Sequence, residues 1–237
     1  MYVLGLNVMC LRASGPTRLF ENPMKRHLSI LLFAAFAVQA ASSYAWASAP
    51  PSATDNPRQL VENIHAEIQT VFKENASKPA PVVQKKITPI LESFIDFEKF
   101  ARRSFKKYFD DSKVLSKKKR REFVQTFKDL IRSTYLRRID PKSKFTMVLD
   151  GPTKYARQNT MAQVRTITTT TKGELDIDFL LQRSSDGSWK TYDIVIDDVS
   201  MARNYRSEFY RIMRKHKTDG VRHLLKTIRD RIKEQQN

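Results

Sequence analysis

Three carboxylates stand close together near the end of the chain and are the first candidates for chemistry. Asp193, Asp197 and Asp198 fall within six positions of the stretch DIVIDDVSMARNYRSEF, which also contains Tyr205 and Arg206. Paired carboxylates can divide the acid and base roles of a catalyst when their environments differ. Strand alternation places Asp193 and Asp197 on one face and Asp198 at the strand end, where carboxylates are ordinary capping groups. The group is therefore either catalytic or structural, and Asp193 could pair with a basic side chain.

Other catalytic chemistries lack the residues that they need. The only cysteine, Cys10, lies before Met24 in a lead that we do not expect in the mature chain, and no G-x-S-x-G stretch is present. His65, His216 and His223 are too scattered to be zinc ligands, and we interpret them as surface residues of helices. The glycines beyond residue 47 are isolated, whereas a phosphate-binding loop needs several together. Metal catalysis and nucleotide binding are therefore unsupported.

Residues 24–47 are typical of a secretory signal peptide. A charged start at 24–27 precedes a small and apolar run at 28–41, and the A-x-A pattern at 45–47 suits cleavage. The run is shorter than the roughly 20 residues that span a bilayer, which disfavours the alternative of a membrane anchor. We expect the chain to be exported, with cleavage after Ala47.

The rest of the chain divides simply. We expect residues 1–23 to be a mis-assigned upstream lead, 48–57 a flexible tail, and 58–237 a single domain held by its apolar core without disulfides.

The formal net charge is +18. In an exported protein, such a charge favours anionic lipid head groups, acidic envelope polymers or acidic proteins as partners, rather than nucleic acid.

The first half of the domain shows helical spacing. Asn56–Pro57 is a helix start, and a second helix is expected over 82–94 with a kink or break at Pro89. Asp96 is a natural N-cap for a third helix that continues to Tyr108. A fourth helix begins near residue 116, and the third and fourth both have strongly aromatic faces.

The second half changes to a period of two and predicts an antiparallel meander. Its strands are expected at 145–149, 160–171, 173–183 and 188–197. The last strand is apolar on both parities, with Trp189 and Val195 on one side and Tyr192, Ile194 and Ile196 on the other. It should therefore be covered on both faces. Ser200 and Asp219 are expected to cap two final helices, which makes an α+β domain with a curved antiparallel sheet wrapped by helices.

Four segments carry a resemblance to a known family. They are IDFEKFARRSFKKYF at 95–109, REFVQTFKDLIRSTYLRRI at 121–139, VRTITTTTKGELDIDFLLQ at 164–182 and DGSWKTYDIVIDDVSMARNYRSEF at 186–209. Their order and spacing behind a signal peptide resemble the MlaC family, also called the toluene-tolerance auxiliary family. The resemblance covers about residues 58 to 230.

The resemblance implies a periplasmic phospholipid-binding component of the Mla pathway, which maintains outer-membrane lipid asymmetry. It implies a shuttle that moves lipid between an outer-membrane lipoprotein-porin complex and an inner-membrane ABC transporter with its substrate-binding ring, through transient membrane contact. The implied fold is NTF2-like, with a hydrophobic pocket for acyl chains. The family is not enzymatic, and its cargo, not a cofactor, is the bound lipid. A sister branch handles hopanoids, so that ligand class stays open.

Apolar residues on the helix faces and on the strands could line such a pocket, or be ordinary core, with Arg206 as a contact for the lipid phosphate. The expected lipid-binding residues are Phe97, Phe100, Ala101, Phe105, Phe127, Leu130, Tyr135, Val164, Ile177, Phe179, Trp189, Tyr192, Ile194, Val199, Tyr205, Arg206 and Phe209.

Three features depart from the family pattern. Asp198 stands where a glycine is usual, Phe109 stands where a tryptophan is frequent, and the basic run 117–121 is denser than expected. Two other functions stay open beside lipid transfer. One is an NTF2-like enzyme that uses the strand-end aspartates on a hydrophobic small molecule, and the other is a basic binder of an envelope polymer or nucleic acid.

Overall fold

A computed structural model describes residues 56–135, 145–170 and 173–235. The helices are α1 (Pro57–Glu74), α2 (Ala80–Phe94), α3 (Phe97–Phe105), α4 (Lys107–Asp110), α5 (Lys117–Tyr135), α6 (Met201–Lys215) and α7 (Gly220–Glu234). The strands are β1 (Phe145–Leu149), β2 (Lys154–Ala156), β3 (Met161–Thr170), β4 (Gly173–Arg183), β5 (Trp189–Ile196) and β6 (Val199–Ser200). The predicted signal peptide, the upstream lead and most of the predicted tail lie outside the described residues.

The first two helices form where the sequence predicts them, but the second begins two residues earlier and has no break. The side chain of Asn56 accepts a hydrogen bond from the backbone N–H of Arg58, and Pro57 occupies the first helical position. The second helix begins at Ala80 and continues through Pro89 without a break. Pro89 is exposed, so the helix loses one backbone hydrogen bond on its solvent side.

The third helix is shorter than the sequence predicts. Asp96 caps it by accepting a hydrogen bond from Lys99 N, as expected, but the helix ends at Phe105 rather than at Tyr108. Lys106 adopts φ 41°, a left-handed conformation that a regular helix does not allow. The chain then resumes as the single turn α4, which buries Phe109.

The sheet is antiparallel and ordered β1-β3-β4-β5-β6, with β2 paired to β3. Its two faces differ in polarity along the central strands. Val164 lies opposite Phe179 on the inner face, whereas Arg165 lies opposite Asp178 on the outer face. An apolar inner face and a polar outer face are what an antiparallel sheet with one solvated side requires. Helices cover the inner face.

A β-bulge separates the two halves of the β4–β5 ladder. Leu180 pairs with Asp193, yet the next residue, Leu181, pairs with Thr191. Tyr192 is therefore the extra residue of β5. An inserted residue reverses the alternation of side chains beyond it, because each residue of a strand points to the opposite face from its neighbour.

This bulge overturns the predicted faces of β5. Trp189 lies opposite Arg183 and Ile194 lies opposite Phe179, and these two β4 residues have the same parity. Trp189 therefore lies on the same face as Ile194, not on the face of Val195. The prediction was wrong because a strict period of two was applied across an irregular strand.

The β5–β6 hairpin closes in a two-residue turn. Ile196 pairs with Val199, and between them Asp197 and Asp198 adopt φ 45° and φ 64°. Positive φ at both central residues is the type I′ pattern, in which glycine or asparagine is favoured. Asp198 thus keeps the left-handed backbone conformation that a glycine adopts easily, and its departure from the family pattern preserves the turn.

The two final helices begin where the sequence predicts them. Ser200 caps α6, and its side chain accepts a hydrogen bond from Arg203 N. Asp219 precedes α7 but makes no side-chain capping hydrogen bond. Its carboxylate instead pairs with Arg222 in the first turn. The predicted fold class is confirmed, since helices precede and follow a curved antiparallel sheet in one mixed architecture.

Candidate functional site

Asp193, the central member of the carboxylate group, is buried completely and bonded on both oxygens. Its Oδ2 accepts hydrogen bonds from Arg103 Nε at 2.8 Å and from Ser200 Oγ at 2.6 Å. Its Oδ1 accepts from the backbone N–H groups of Ala202 and Ile194, each at 3.0 Å. Four donors fill the capacity of a carboxylate. The group sits at the N-terminus of α6, where the helix dipole favours a negative charge.

The other polar candidates in the stretch 193–209 are not among the four donors that bind Asp193. Asp197 and Asp198 are exposed in the β5–β6 turn, and Asp197 Oδ1 accepts a hydrogen bond from the backbone of Asp176. Tyr205 is buried among aromatic rings, and Arg206 is half-buried on α6. The three carboxylates therefore do not share a site, and Asp193 is the one that anchors the strand-to-helix corner.

An apolar cavity of about 130 Å³ lies between the inner face of the sheet and the helices. Twenty of the described residues line it, and fifteen of these are apolar. The apolar lining consists of Val61, Ile64, Ile68, Leu91, Phe94, Ile95, Phe97, Phe100, Ile131, Met147, Ile177, Phe179, Ile194, Ile196 and Met201. These side chains come from α1, α2, α3, α5, β1, β4, β5 and the start of α6. The cavity is thus a product of the whole fold.

Helix α2 closes the cavity against the sheet through a few specific contacts. The rings of Phe94 and Phe179 meet edge to face with centroids 5.5 Å apart. At the end of the helix, Ile95 forms a parallel bridge with Thr191, and Asp96 N donates to Thr191 O at 2.9 Å. These contacts fix the direction in which α2 leaves the sheet.

Among the described lining residues, the charged side chains lie together at one place on the cavity wall. Glu92 and Arg132 both line it, and Arg132 Nε lies 3.7 Å from Glu92 Oε1. Glu92 also pairs with Lys128 at 3.0 Å. The Arg132 side chain is 44% exposed, so this group marks where the apolar cavity meets solvent. We call these three residues the charged rim.

Three uncharged polar groups also line the cavity. The Tyr135 hydroxyl hydrogen-bonds with Tyr205, and burial raises the pKa of Tyr135 well above its usual range. The other two are different. Within the described part of the chain, His65 Nε2 and Thr168 Oγ1 are buried and have no hydrogen-bond partner. Burial lowers the pKa of His65 from 6.5 to about 4, so the imidazole is neutral at pH 7.

The placement of His65 corrects the interpretation of this residue as a surface histidine. His65 lies one residue after Ile64 on α1, and both residues face the cavity. The spacing of residues in α1 predicts an apolar face. A single polar residue at the edge of that face is interpreted as exposed, because the sequence does not show that the sheet packs against it. The sequence did contain one indication of burial: His65 lies directly beside apolar residues that repeat at a spacing of four.

Six of the seventeen residues expected to bind lipid line the cavity. They are Phe97, Phe100, Tyr135, Ile177, Phe179 and Ile194. The other eleven lie outside its lining: Ala101, Phe105, Phe127, Leu130, Val164, Trp189, Tyr192, Val199, Tyr205, Arg206 and Phe209. Lipid contact by any of the seventeen stays a prediction.

Several of those eleven residues form a solid aromatic core. The rings of Phe105, Phe123, Phe127 and Phe209 lie with centroids between 4.8 and 6.3 Å apart, and all four side chains are fully buried. Tyr205 joins them with its ring 5.2 Å from that of Phe127. Helices α3, α5 and α6 therefore pack through ring-to-ring contacts, which leave little space for an acyl chain.

Fourteen of the described lining residues were not among those expected to bind lipid, and half of the fourteen lie on the two N-terminal helices. Helix α1 contributes Val61, Ile64, His65 and Ile68 to the lining, and α2 contributes Leu91, Glu92 and Phe94. Their sequences are ordinary amphipathic patterns, which do not distinguish a cavity wall from a core face. Only their position opposite β4 and β5 makes that distinction.

The basic run occupies the first turn of α5, from Lys117 to Arg121. Lys119 pairs with Glu122 at 2.9 Å, and Arg120 Nε donates to the carbonyl oxygen of Phe109. Positive charges at a helix N-terminus oppose the helix dipole. The run is therefore not placed for helix stability, and contact with an anionic membrane or an acidic partner stays a prediction.

Neither a metal cluster nor a membrane-spanning helix is found in the described ranges. No group of three or more His, Cys, Asp or Glu side chains is placed there to hold a metal ion. Among the same residues, no helix combines the length and the apolar character that crossing a bilayer requires.

Comparisons with known proteins identify the family. The family model described as MlaC protein matches residues 59–230. Among solved structures, the chain is similar to the phospholipid-binding protein from Ralstonia solanacearum, which was solved in complex with a phospholipid. The two superpose with a TM-score of 0.64 over 76% of this chain and 98% of that one, at 17% sequence identity, a likeness of fold. No curated protein sequence matches. The resemblance noted in the sequence is confirmed, because the family model spans well over half of the chain: this protein belongs to the MlaC family.

Proposed function

We propose that this protein binds a phospholipid with its acyl chains in the apolar cavity and carries it between membranes. The apolar cavity is the main support for this proposal, since fifteen of the twenty described residues that line it are apolar. Each methylene removed from water contributes about 0.8 kcal/mol. A lipid with two long chains therefore cannot cross water unaided at a useful rate, and a carrier must offer it an apolar interior.

Two comparisons support a phospholipid as the cargo. The chain belongs to the MlaC family, and the related fold from Ralstonia solanacearum was solved with a phospholipid bound. The finer role follows from the family resemblance. In that role the protein works in the periplasm, receives lipid from one of two complexes and delivers it to the other. The complexes are the outer-membrane lipoprotein-porin complex and the inner-membrane ABC transporter with its substrate-binding ring.

The charged rim suits the head group of such a lipid. A guanidinium binds phosphate through paired hydrogen bonds, and Arg132 is the cation that lines the cavity. Its contacts with Glu92 and with Asp129 each span 3.7 Å, which is too long for a hydrogen bond. Arg132 can therefore turn toward a phosphate without breaking a strong pair. It replaces Arg206 as our first choice for the phosphate contact, because Arg206 does not line the cavity.

The cavity must widen to take two full acyl chains. A cavity near 150 Å³ accepts a molecule the size of benzene, and this one has a volume of about 130 Å³. It therefore accepts a short stretch of one chain. Helices α1 and α2 form one wall of the cavity, and the lipid would enter as they move away from the sheet.

The proposed role is binding rather than catalysis. Asp193 has all its hydrogen-bonding capacity filled by four donors, and Asp197 and Asp198 lie in an exposed turn. None of the three lines the cavity, so a substrate held there would not meet them.

Native mass spectrometry of the purified chain after expression in a bacterium tests the proposal. The expected result is an added mass that lipid extraction identifies as diacyl phospholipid. A hopanoid in its place would retain the carrier role but change the cargo. An empty protein that also takes up no lipid from vesicles would contradict the proposal.

A further inference from the structure

Two uncharged polar atoms of the cavity lining are not satisfied by the surrounding protein that the structure describes. His65 Nε2 on α1 and Thr168 Oγ1 on β3 are buried without a hydrogen-bond partner in the described part of the chain. Both residues line the same cavity, and Thr168 is only 1% exposed. The two elements pack against each other, so the two polar atoms belong to facing walls of one space.

Such atoms are unusual because a buried polar group without a partner costs stability. Thr166, two residues before Thr168 on the same face of β3, donates from Oγ1 to Ile177 O at 2.9 Å. An apolar side chain at position 65 or 168 would avoid the cost. The unpaired state of these two atoms therefore points to a ligand that pairs with them.

The chemistry of the two groups restricts which hydrogen-bonding group the ligand can carry. A threonine hydroxyl donates a hydrogen bond, and a neutral imidazole donates from Nε2 in one tautomer. A group that only accepts, and that carries no charge, suits both donors in an apolar cavity. Within a diacyl phospholipid, the ester carbonyls have these properties. They also lie between the acyl chains, which the apolar lining takes, and the phosphate, which the charged rim takes.

We propose that His65 and Thr168 donate hydrogen bonds to the ester carbonyls of the bound lipid, so that the cavity selects lipids with ester-linked chains. This inference rests on the proposed function. It adds a specificity determinant to the apolar cavity, because chain burial alone does not distinguish an ester linkage from an ether linkage of the same length.

Paired lipids that differ only in this linkage test the inference. Delipidated protein is titrated with diacyl phosphatidylglycerol and with its dialkyl ether analogue, which lacks both carbonyl groups. Wild-type protein is expected to bind the ester form about tenfold more tightly, the effect of one to two net hydrogen bonds. The double variant His65→Leu with Thr168→Val is expected to bind both forms equally well. Thr166→Val is the matched control, since it removes a threonine hydroxyl from the same strand without changing the cavity lining, and it should keep the preference.

A spectroscopic readout makes the test independent of affinity. With ¹³C-labelled ester carbonyls, the infrared carbonyl band of the bound lipid should lie at lower frequency in wild type than in the double variant. Equal affinity of wild type for the two lipids, or an unchanged preference in the double variant, would overturn the inference and leave lipid binding intact. Failure of wild type to bind either lipid would overturn the proposed function as well, so the two failures are distinguishable.

Discussion

Arg103 Nε donates a hydrogen bond to Asp193 Oδ2 over 2.8 Å, and this pair joins α3 to β5. The carboxylate is fully buried, whereas the Arg103 side chain is 41% exposed. Arg103 also places its guanidinium 5.3 Å from the centre of the Tyr192 ring, at the bulge of β5. The relationship explains why an aspartate stands in an apolar strand: it holds the corner from which α6 starts.

Replacing Asp193 with asparagine tests this structural role. The amide keeps the shape but turns a donor toward groups that are themselves donors, so we expect the free energy of unfolding to fall by about 2 kcal/mol. Urea denaturation monitored by circular dichroism measures the change. The control is Asp198→Asn, an exposed turn position where asparagine suits a positive φ. Equal stability of the two variants would contradict the role given to Asp193.

The turn at Asp197 and Asp198 predicts a stabilising substitution. Asp198 has φ 64°, which a residue with a Cβ atom adopts at a cost that glycine avoids. Asp198→Gly should raise the free energy of unfolding by roughly 0.5 kcal/mol, after the greater flexibility of glycine in the unfolded chain is counted. Asp111→Gly is the contrast, since Asp111 has φ −73° and glycine should destabilise there. A loss of stability in Asp198→Gly would show that the turn differs from the one described.

Burial of His65 predicts a pH dependence of stability. The folded pKa is about 4 and the ordinary value is 6.5, so the unfolded chain binds a proton more readily in that interval. Stability from this group is complete above pH 6.5 and is lost as the pH falls toward about 4. His65→Leu removes this loss and also the unpaired Nε2. In delipidated protein, the melting temperature of this variant should exceed that of wild type, by a margin that grows as the pH falls from 7 to 4.

A constant difference between His65→Leu and wild type across that range would contradict the burial of His65. Carboxylates that titrate in the same interval are common to both proteins and cancel in the comparison. Wild type and variant must therefore be measured in the same buffers, by calorimetry at matched ionic strength.

Filling the cavity should abolish lipid binding without unfolding the protein. Ile194 lines the cavity on β5, and Ile194→Trp would occupy much of the space. Ile167 on β3 alternates with the buried residues Thr166 and Thr168 and thus lies on the outer face. Ile167→Trp is therefore the matched control. Lipid extraction of both purified variants should recover phospholipid from the control alone.

The charged rim predicts a selective loss. Arg132→Gln should weaken binding of phosphatidylglycerol several-fold and leave binding of diacylglycerol, which has no phosphate, unchanged. Arg229→Gln is the control, because Arg229 pairs with Glu122 and does not line the cavity. Titration with fluorescent forms of both lipids gives the comparison. Equal weakening for both lipids would mean that Arg132 only supports the packing of α5.

The fold was largely predictable because its signals are local. Asp96 and Ser200 cap helices as expected, and the Asp186–Gly187 turn closes a hairpin in which Gly187 has φ 85°. The bulge at Tyr192 was not predictable, since it depends on how two strands pair rather than on the residues of one.

The site was predictable only in part, for a related reason. Aromatic residues were expected to line the pocket, yet the rings of Phe127 and Phe209 pack against each other with centroids 5.9 Å apart. The cavity opens instead where aliphatic residues of α1, such as Ile64, face the sheet. Helical spacing shows which face is buried, but empty space behind that face depends on the layer opposite.

Photo-crosslinking is the most direct test of the central claim that acyl chains occupy the cavity. Protein is loaded with phosphatidylglycerol that carries a diazirine within one chain, irradiated, and digested with trypsin. Cross-links are expected in the peptides 59–73 of α1 and 87–99 at the end of α2, which contain nine of the lining residues. Cross-links confined to α7, or none above the level of the Ile194→Trp variant, would contradict the claim.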